Sequence, residues 1–160
     1  MSNKLPSPVF IPKSVTDETL AVPATQGKHI LEPFKSAAQG SGTYILEDCE
    51  VDNKCEVHRT EADLWTCLQG EVEFEVGGEM IDPYERMHAD GSKDIFEVRS
   101  APGNIRGATN YLLHPGDLLF IPAGVPHAHR TQGTARMYFT KIPQPEVPLE
   151  DVPGWKGNES

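Results

Sequence analysis

Residues 116–127 read Gly-Asp-Leu-Leu-Phe-Ile-Pro-Ala-Gly-Val-Pro-His. Pro115-Gly116-Asp117 is turn chemistry, Leu118 to Ile121 is an apolar run of strand length, and Pro122-Ala123-Gly124 is a second tight turn. His127 follows three residues after that glycine, where the chain re-enters a strand. Two turns so close together fix the direction in which the side chain leaves the sheet. The His127 imidazole therefore projects into a barrel lumen, as a rigid metal ligand must. His129 lies two residues on and shares the same face.

Working outward, residues 68–78 (Leu-Gln-Gly-Glu-Val-Glu-Phe-Glu-Val-Gly-Gly) alternate Val72, Phe74 and Val76 with Glu71, Glu73 and Glu75. A period of two with one apolar and one acidic face marks a half-buried strand, with the glutamates on the solvent side. Similar short segments rich in β-branched and aromatic residues recur at Tyr44 to Leu46, Cys55 to His58, Ala62 to Leu68, Ile95 to Arg99, Ala108 to Leu113, Asp117 to Pro122 and Ala135 to Ile142. The 14 Gly and 14 Pro between them leave little room for long helices. About eight strands separated by turns predict an all-β jelly roll in one domain spanning 1–160, with its barrel core at about 42–142. Residues 1–25 and 143–160 are Pro-rich and read as arms that wrap the surface, with Trp155 favouring a docked C-terminal arm.

The 160 residues suffice for one ordinary core. A net charge of -10 disfavours nucleic acid and anionic membranes as partners. No apolar run approaches the ~20 residues of a membrane-spanning helix, and the start MSNKLPSPVFIPKSV has no basic patch followed by an apolar core. The expected compartment is the cytosol. Cys49, Cys55 and Cys67 form no CxxC pair, so reduced thiols packed as small hydrophobes are expected.

From Gly116 to His127 the chain resembles the second motif of the cupin family, G(x)5PxG(x)2H, with Thr131 where an Asn often follows. The first cupin motif, HxH(x)3–4E(x)6G, resembles Glu56-Val57-His58-Arg59-Thr60-Glu61-Ala62-Asp63 with Gly70 closing the spacer. His58 falls on the second His and Asp63 on the carboxylate. Glu56 replaces the first His, and Glu50 stands where the family has a glycine. The resemblance implies a small β-barrel homodimer holding one divalent metal in its lumen, with Glu56, His58, Asp63 and His127 as candidate ligands. A mixed N/O set of this kind suits Fe, Zn, Mn or Ni rather than Ca or Mg. Because Asp63 is one methylene shorter than Glu, it either touches the metal or orients a ligand His.

Around this set, His129 is a candidate proton carrier, since an imidazole titrates near neutrality. Glu61 is a minor carboxylate candidate at the lumen mouth. Trp65 shares a strand face with Asp63 and Cys67 and offers an apolar pocket wall. The segment from Glu79 to Gly107 is longer than a cupin needs, which predicts a cover over the barrel mouth or a subunit contact. Its Arg99 and Arg106 are candidates to meet an anionic substrate.

Three functions follow as expectations, each with a small-molecule partner. The leading one is a metal-dependent isomerase, epimerase or lyase acting on a sugar, uronate or small hydroxy acid, favoured by surplus lumen carboxylates able to move a proton. The Glu-x-His-x4-Asp stretch also resembles the sugar-processing family related to the β-galactosidase small subunit, which implies carbohydrate chemistry. The second is a non-haem Fe(II) dioxygenase using two His and one carboxylate. The third is a non-catalytic barrel that binds a small molecule.

Overall fold

The alternation at 72–76 sorts in space as the sequence predicts: Val72 and Phe74 are fully buried, while Glu73 and Glu75 lie on the partly exposed face. The structure is a computed structural model that describes residues 6–157. In chain order it contains helix α1 (Lys13–Leu20), strand β1 (Gly27–Ile30), helix α2 (Phe34–Ala38) and strands β2 (Thr43–Cys49), β3 (Cys55–His58), β4 (Glu61–Gln69) and β5 (Val72–Val76). There follow β6 (Glu79–Met80), β7 (Tyr84–Met87), β8 (Lys93–Ser100), β9 (Ile105–Arg106), β10 (Thr109–Leu113), β11 (Leu118–Ile121), β12 (His127–Arg130) and β13 (Thr134–Pro143), then a 3-10 turn at Leu149–Asp151.

Antiparallel pairing builds a five-stranded sheet in the order β1-β2-β13-β4-β11 and a six-stranded sheet in the order β10-β5-β12-β3-β8-β7. A small β6-β9 pair stands apart. Two such sheets face to face make an all-β jelly roll of the cupin type. Between them lies a core that includes Leu46, Trp65, Cys67, Phe74, Ile121 and Met137. Cys55 and Cys67 are buried among apolar side chains, as expected of small hydrophobes, and burial pushes both thiols up.

Gly70 shows how a turn residue sets the frame. It sits at φ +72° between β4 and β5, and a Cβ there would lie 2.0 Å from the Thr134 carbonyl oxygen. Only a residue without a side chain lets the β4–β5 turn close against β13.

The ends of the chain are more ordered than the arm reading anticipates. Residues 13–20 form a helix because the prolines flank it, with Pro12 at its N-cap and Pro23 beyond its end, rather than interrupting it. Its apolar stripe is too narrow to stand out in the sequence, yet Val15 and Leu20 join Phe34 and Ala38 over Ile45 on the outer face of the five-stranded sheet. The C-terminal segment docks as expected. Val152, Leu149 and Trp155 pack with Val57, Val98 and Met80 on the outer face of the six-stranded sheet. Residues 1–5 and 158–160 of the two predicted arms lie outside the described residues.

The 79–107 segment also departs from expectation. Rather than covering the barrel mouth, its central part extends the six-stranded sheet, because β8, which contains the predicted strand Ile95 to Arg99, pairs with β3 and β7 pairs with β8. Val98 and Ser100 are buried on one face of β8, and that pattern draws the hairpin into the barrel wall.

One buried ion pair ties the N-terminal segment to the five-stranded sheet. The Arg136 guanidinium meets Glu47 Oε2 at 2.8 Å through Nε and 2.6 Å through Nη2, and donates to the carbonyls of Leu20 at 2.6 Å and Val22 at 2.5 Å. Glu47 Oε1 in turn accepts from the Thr25 amide at 2.9 Å. Removing one member strands the other charge out of water, a loss of about 3–5 kcal/mol. Arg136→Leu is therefore expected to lower unfolding free energy by about that amount in urea denaturation; a change within ~0.5 kcal/mol would mean that the pair holds nothing together.

Candidate metal centre

The histidine pair is positioned by backbone contacts between the two sequence motifs. After β11, the Pro122–Gly124 turn is fastened to the end of β3 by a hydrogen bond from the Gly124 amide to the His58 carbonyl at 2.8 Å. Gly124 has φ +82°, and a Cβ there would meet the Val147 side chain at 2.9 Å, so the C-terminal segment packs directly on this turn. The chain then enters β12, where His127 lies opposite both Glu56 of β3 and Val76 of β5. Glu56 and His58 share a face of β3 by alternation. The two imidazole rings come within 5.2 Å of each other, centroid to centroid.

Glu56, His58 and His127 each present a ligand atom within 4.8 Å of the others. Asp63 faces them from β4 in the opposite sheet, with Oδ2 at 3.5 Å from Nε2 of both His58 and His127. His58 Nε2 is also 3.6 Å from Glu56 Oε2. His127 Nδ1 donates to the Val125 carbonyl at 3.0 Å, which turns Nε2 toward the carboxylates. Two imidazole nitrogens facing buried carboxylates call for positive charge between them, which a proton or a metal ion supplies. The donor set thus fits a divalent ion of the transition series, and these residues can hold one.

The carboxylates are tuned for that task. Asp63 is 1% exposed, and burial opposes its ionisation, but the His127 and His58 imidazoles beside it hold its carboxyl far below the usual range. Lys141, its cross-strand partner on β13, donates to Asp63 Oδ1 at 2.6 Å. Glu56 is likewise held low against burial by His58, His127, Lys28 and Arg99. Arg99 stands opposite Glu56 in the β3–β8 register and reaches Glu56 Oε1 at 3.3 Å and Glu97 Oε1 at 2.5 Å.

The other candidate residues divide into those near this cluster and those away from it. A cavity of about 210 Å³ adjoins the cluster and is lined by Glu56, His58, Asp63, Trp65, Arg99 and His129, among others. Trp65 packs against Phe74, His129 and Phe139 at centroid distances of 5.0–5.3 Å and serves as an apolar wall. His129 is buried, and its Nε2 lies 2.9 Å from Asp48 Oδ2 at a poor angle for a hydrogen bond. Glu61 lines a neighbouring cavity with His58, Thr60, Asp94, Phe96 and Glu97 but supplies no atom to the three-residue cluster. Arg106 is remote from the centre. It pairs with Glu79 at 2.9 Å on the two-stranded β6–β9 ladder and lines a separate surface cavity with Trp155.

Four charged side chains at or beside the cavity have no signature in the local motifs: Lys141, Lys28, Glu97 and Asp48. Lys141 follows Phe139 by two residues on β13, and that alternation was the available signal for a lumen-facing cation. Its partnership with Asp63 is set by strand register across 78 residues, which no local pattern carries.

No family model matches the chain, and no curated protein matches it. Among solved structures it is similar to the cobalt(II) form of HppE in complex with Tris buffer (TM-score 0.40, 15% identity, covering 62% of this chain and 44% of that one). It is also similar to YcfD, a ribosomal oxygenase from Escherichia coli in complex with cobalt and 2-oxoglutarate (TM-score 0.41, 19% identity, 66% and 24% covered). A third match is Peruvianin-I, a cysteine peptidase from Thevetia peruviana latex (TM-score 0.40, 17% identity, 67% and 54% covered). The chain spans less than two thirds of each of these proteins. Matches this shallow leave the assignment of function to the chain's own side chains.

The geometry predicts about one equivalent of Zn(II) bound by wild-type protein in calorimetric titration, and none by the His58→Ala, His127→Ala double variant. Asp63→Asn is expected to bind about 10–100-fold more weakly, as loss of an orienting partner does. Full occupancy in the double variant would place the metal elsewhere.

Proposed function

We propose that the chain is a non-haem Fe(II) oxygenase of the cupin type acting on a small molecule, with Glu56, His58 and His127 holding the metal. The observation that carries this reading is a cluster of two imidazoles and one carboxylate, the donor set suited to iron with open positions for O₂ and substrate. Bound iron supplies the activation of O₂.

The chain's own residues prepare that site. The Val125 carbonyl holds the His127 tautomer, and Lys141 pins Asp63 on the far side of both imidazoles. Trp65, Phe74 and Phe139 close the floor with apolar surface, which keeps water from the reacting centre.

The isomerase or lyase reading has less support, because it needs a free base in the lumen. Asp63 is engaged by Lys141, Glu97 by Arg86 at 2.8 Å and by Arg99, and His129 rests against Asp48. Glu61, the remaining candidate, shares a cavity with His58 but supplies no atom to the ligand cluster. The binding-barrel reading, in which a metal is structural or orients a ligand, shares this donor set, and O₂ uptake separates it from the oxygenase. Support for a homodimer comes from the open edges of the two sheets: Tyr111 and Leu112 on β10, with Leu118 and Phe120 on β11, are exposed apolar side chains on adjoining edge strands.

Protein loaded anaerobically with Fe(II) is expected to consume O₂ when mixed with its substrate from a panel of small carboxylic and hydroxy acids, as read by an oxygen electrode. His127→Ala should lose that uptake. Turnover of a panel member by the manganese or nickel form without O₂ consumption would replace the oxygenase with proton-transfer chemistry. Sedimentation at twice the monomer mass is expected for wild type, and at the monomer mass for a Leu118→Glu, Phe120→Glu variant.

A further inference from the structure

The cavity beside the metal centre has two unlike halves. Ile30, Leu46, Trp65 and Phe139 form an apolar wall, and charged groups form the rest. Three of those groups are cations (Lys28, Arg99 and Lys141) and three are carboxylates (Glu56, Asp63 and Glu97), so the lining is balanced before metal binds. A divalent ion on Glu56, His58 and His127 makes it doubly positive. In a chain of net charge -10 such a spot is a local exception, and it favours an anionic ligand.

The three cations differ in availability. Lys141 is committed to Asp63 at 2.6 Å, and Arg99 bridges Glu97 and Glu56. Lys28, on edge strand β1, instead donates to the neutral Asn53 Oδ1 at 2.9 Å and makes no ion pair among the described residues. Asn53 itself donates to Asp48 Oδ2 at 2.7 Å, so the amide carbonyl is presented to Lys28 by a buried anchor. Lys28 thereby stands at the cavity lip opposite Asp48 and within the electrostatic reach of Glu56, but with no carboxylate in direct contact.

We propose that this cavity takes a small organic monoanion, a carboxylate carried on a short apolar body, and that Lys28 is the cation that recognises the carboxylate. A volume of about 210 Å³ equals roughly seven waters at ~30 Å³ each, which limits the ligand to about ten heavy atoms. The apolar body lies along Trp65 and Phe139, and the carboxylate lies at the lip beside Lys28. The proposal rests on the metal-site reading for its net positive charge, but the Lys28 contact does not require the metal.

Phenylacetate and its neutral isostere phenylacetamide are suitable probes, titrated by calorimetry into the full chain with Zn(II) bound and, separately, after chelator treatment, with zinc content measured in each sample. Phenylacetate is expected to bind the zinc form at least about tenfold more tightly than the amide, the value of one charge-assisted hydrogen bond. Lys28→Met should remove about tenfold from phenylacetate binding at matched zinc content and leave the amide affinity unchanged, while Lys28→Arg should restore the preference. Equal affinity for the two probes, no binding of either, or a Lys28→Met protein that keeps the full preference would overturn the inference. Zinc content separates the two readings: a sample that binds no zinc yet keeps a Lys28-dependent preference for phenylacetate retires the metal centre and upholds the anion pocket. Zinc bound without the preference does the reverse.

Discussion

A carboxylate with almost no access to water sits where the two sheets face each other, and much of the lumen is arranged around it. Asp63 meets an imidazole of β3, an imidazole of β12 and the ammonium of β13, so three strands from both sheets converge on one side chain. Burying a charge in this way is costly unless it is paired on every side. Lys141 is one half of that pairing. The two imidazoles are the other half, and a divalent metal ion held by them and Glu56 would add positive charge beside Asp63.

The scaffold holds this arrangement through its outer layers as well as its core. Both sheets carry apolar side chains on their outward faces, and each is covered by one end of the chain: the N-terminal helices lie over Ile45, and the C-terminal segment lies over Val57 and Val98. Arg136 with Glu47 fastens the first cover. Arg59 fastens the second, donating to the Val147 carbonyl at 2.8 Å and to Glu146 at 2.6 Å while its own carbonyl accepts from the Val147 amide. Since Arg59 follows His58 directly and Val147 packs on Gly124, the second cover also braces both histidine-bearing segments. The ends of the chain thereby contribute to the geometry of a site they do not line.

The site and the ends were not equally legible. His58 and His127 stood out because tight turns and a fixed spacing place them within a few residues of features that can be read locally. Glu56 followed from His58 through alternation alone. The helix at 13–20 did not stand out, because its apolar stripe is only a few residues wide and its prolines suggested an arm. Residues 79–107 read as an insertion because their turn signals are plain, whereas the pairing of β8 with β3 depends on a partner far away in the chain.

What the sequence by itself determined is whatever local periodicity and turn chemistry dictate: short strands, an all-β barrel, and two segments that each aim a histidine to one side. What only the tertiary structure decided is which charges meet. Lys141 with Asp63, Arg99 with Glu56, and Lys28 opposite Asp48 without a direct ion pair are outcomes of register and sheet packing, which join residues tens of positions apart. Alternation says which face a side chain takes, but a cross-strand partner is set by the whole ladder of hydrogen bonds, so the electrostatics of the lumen are a property of the folded barrel.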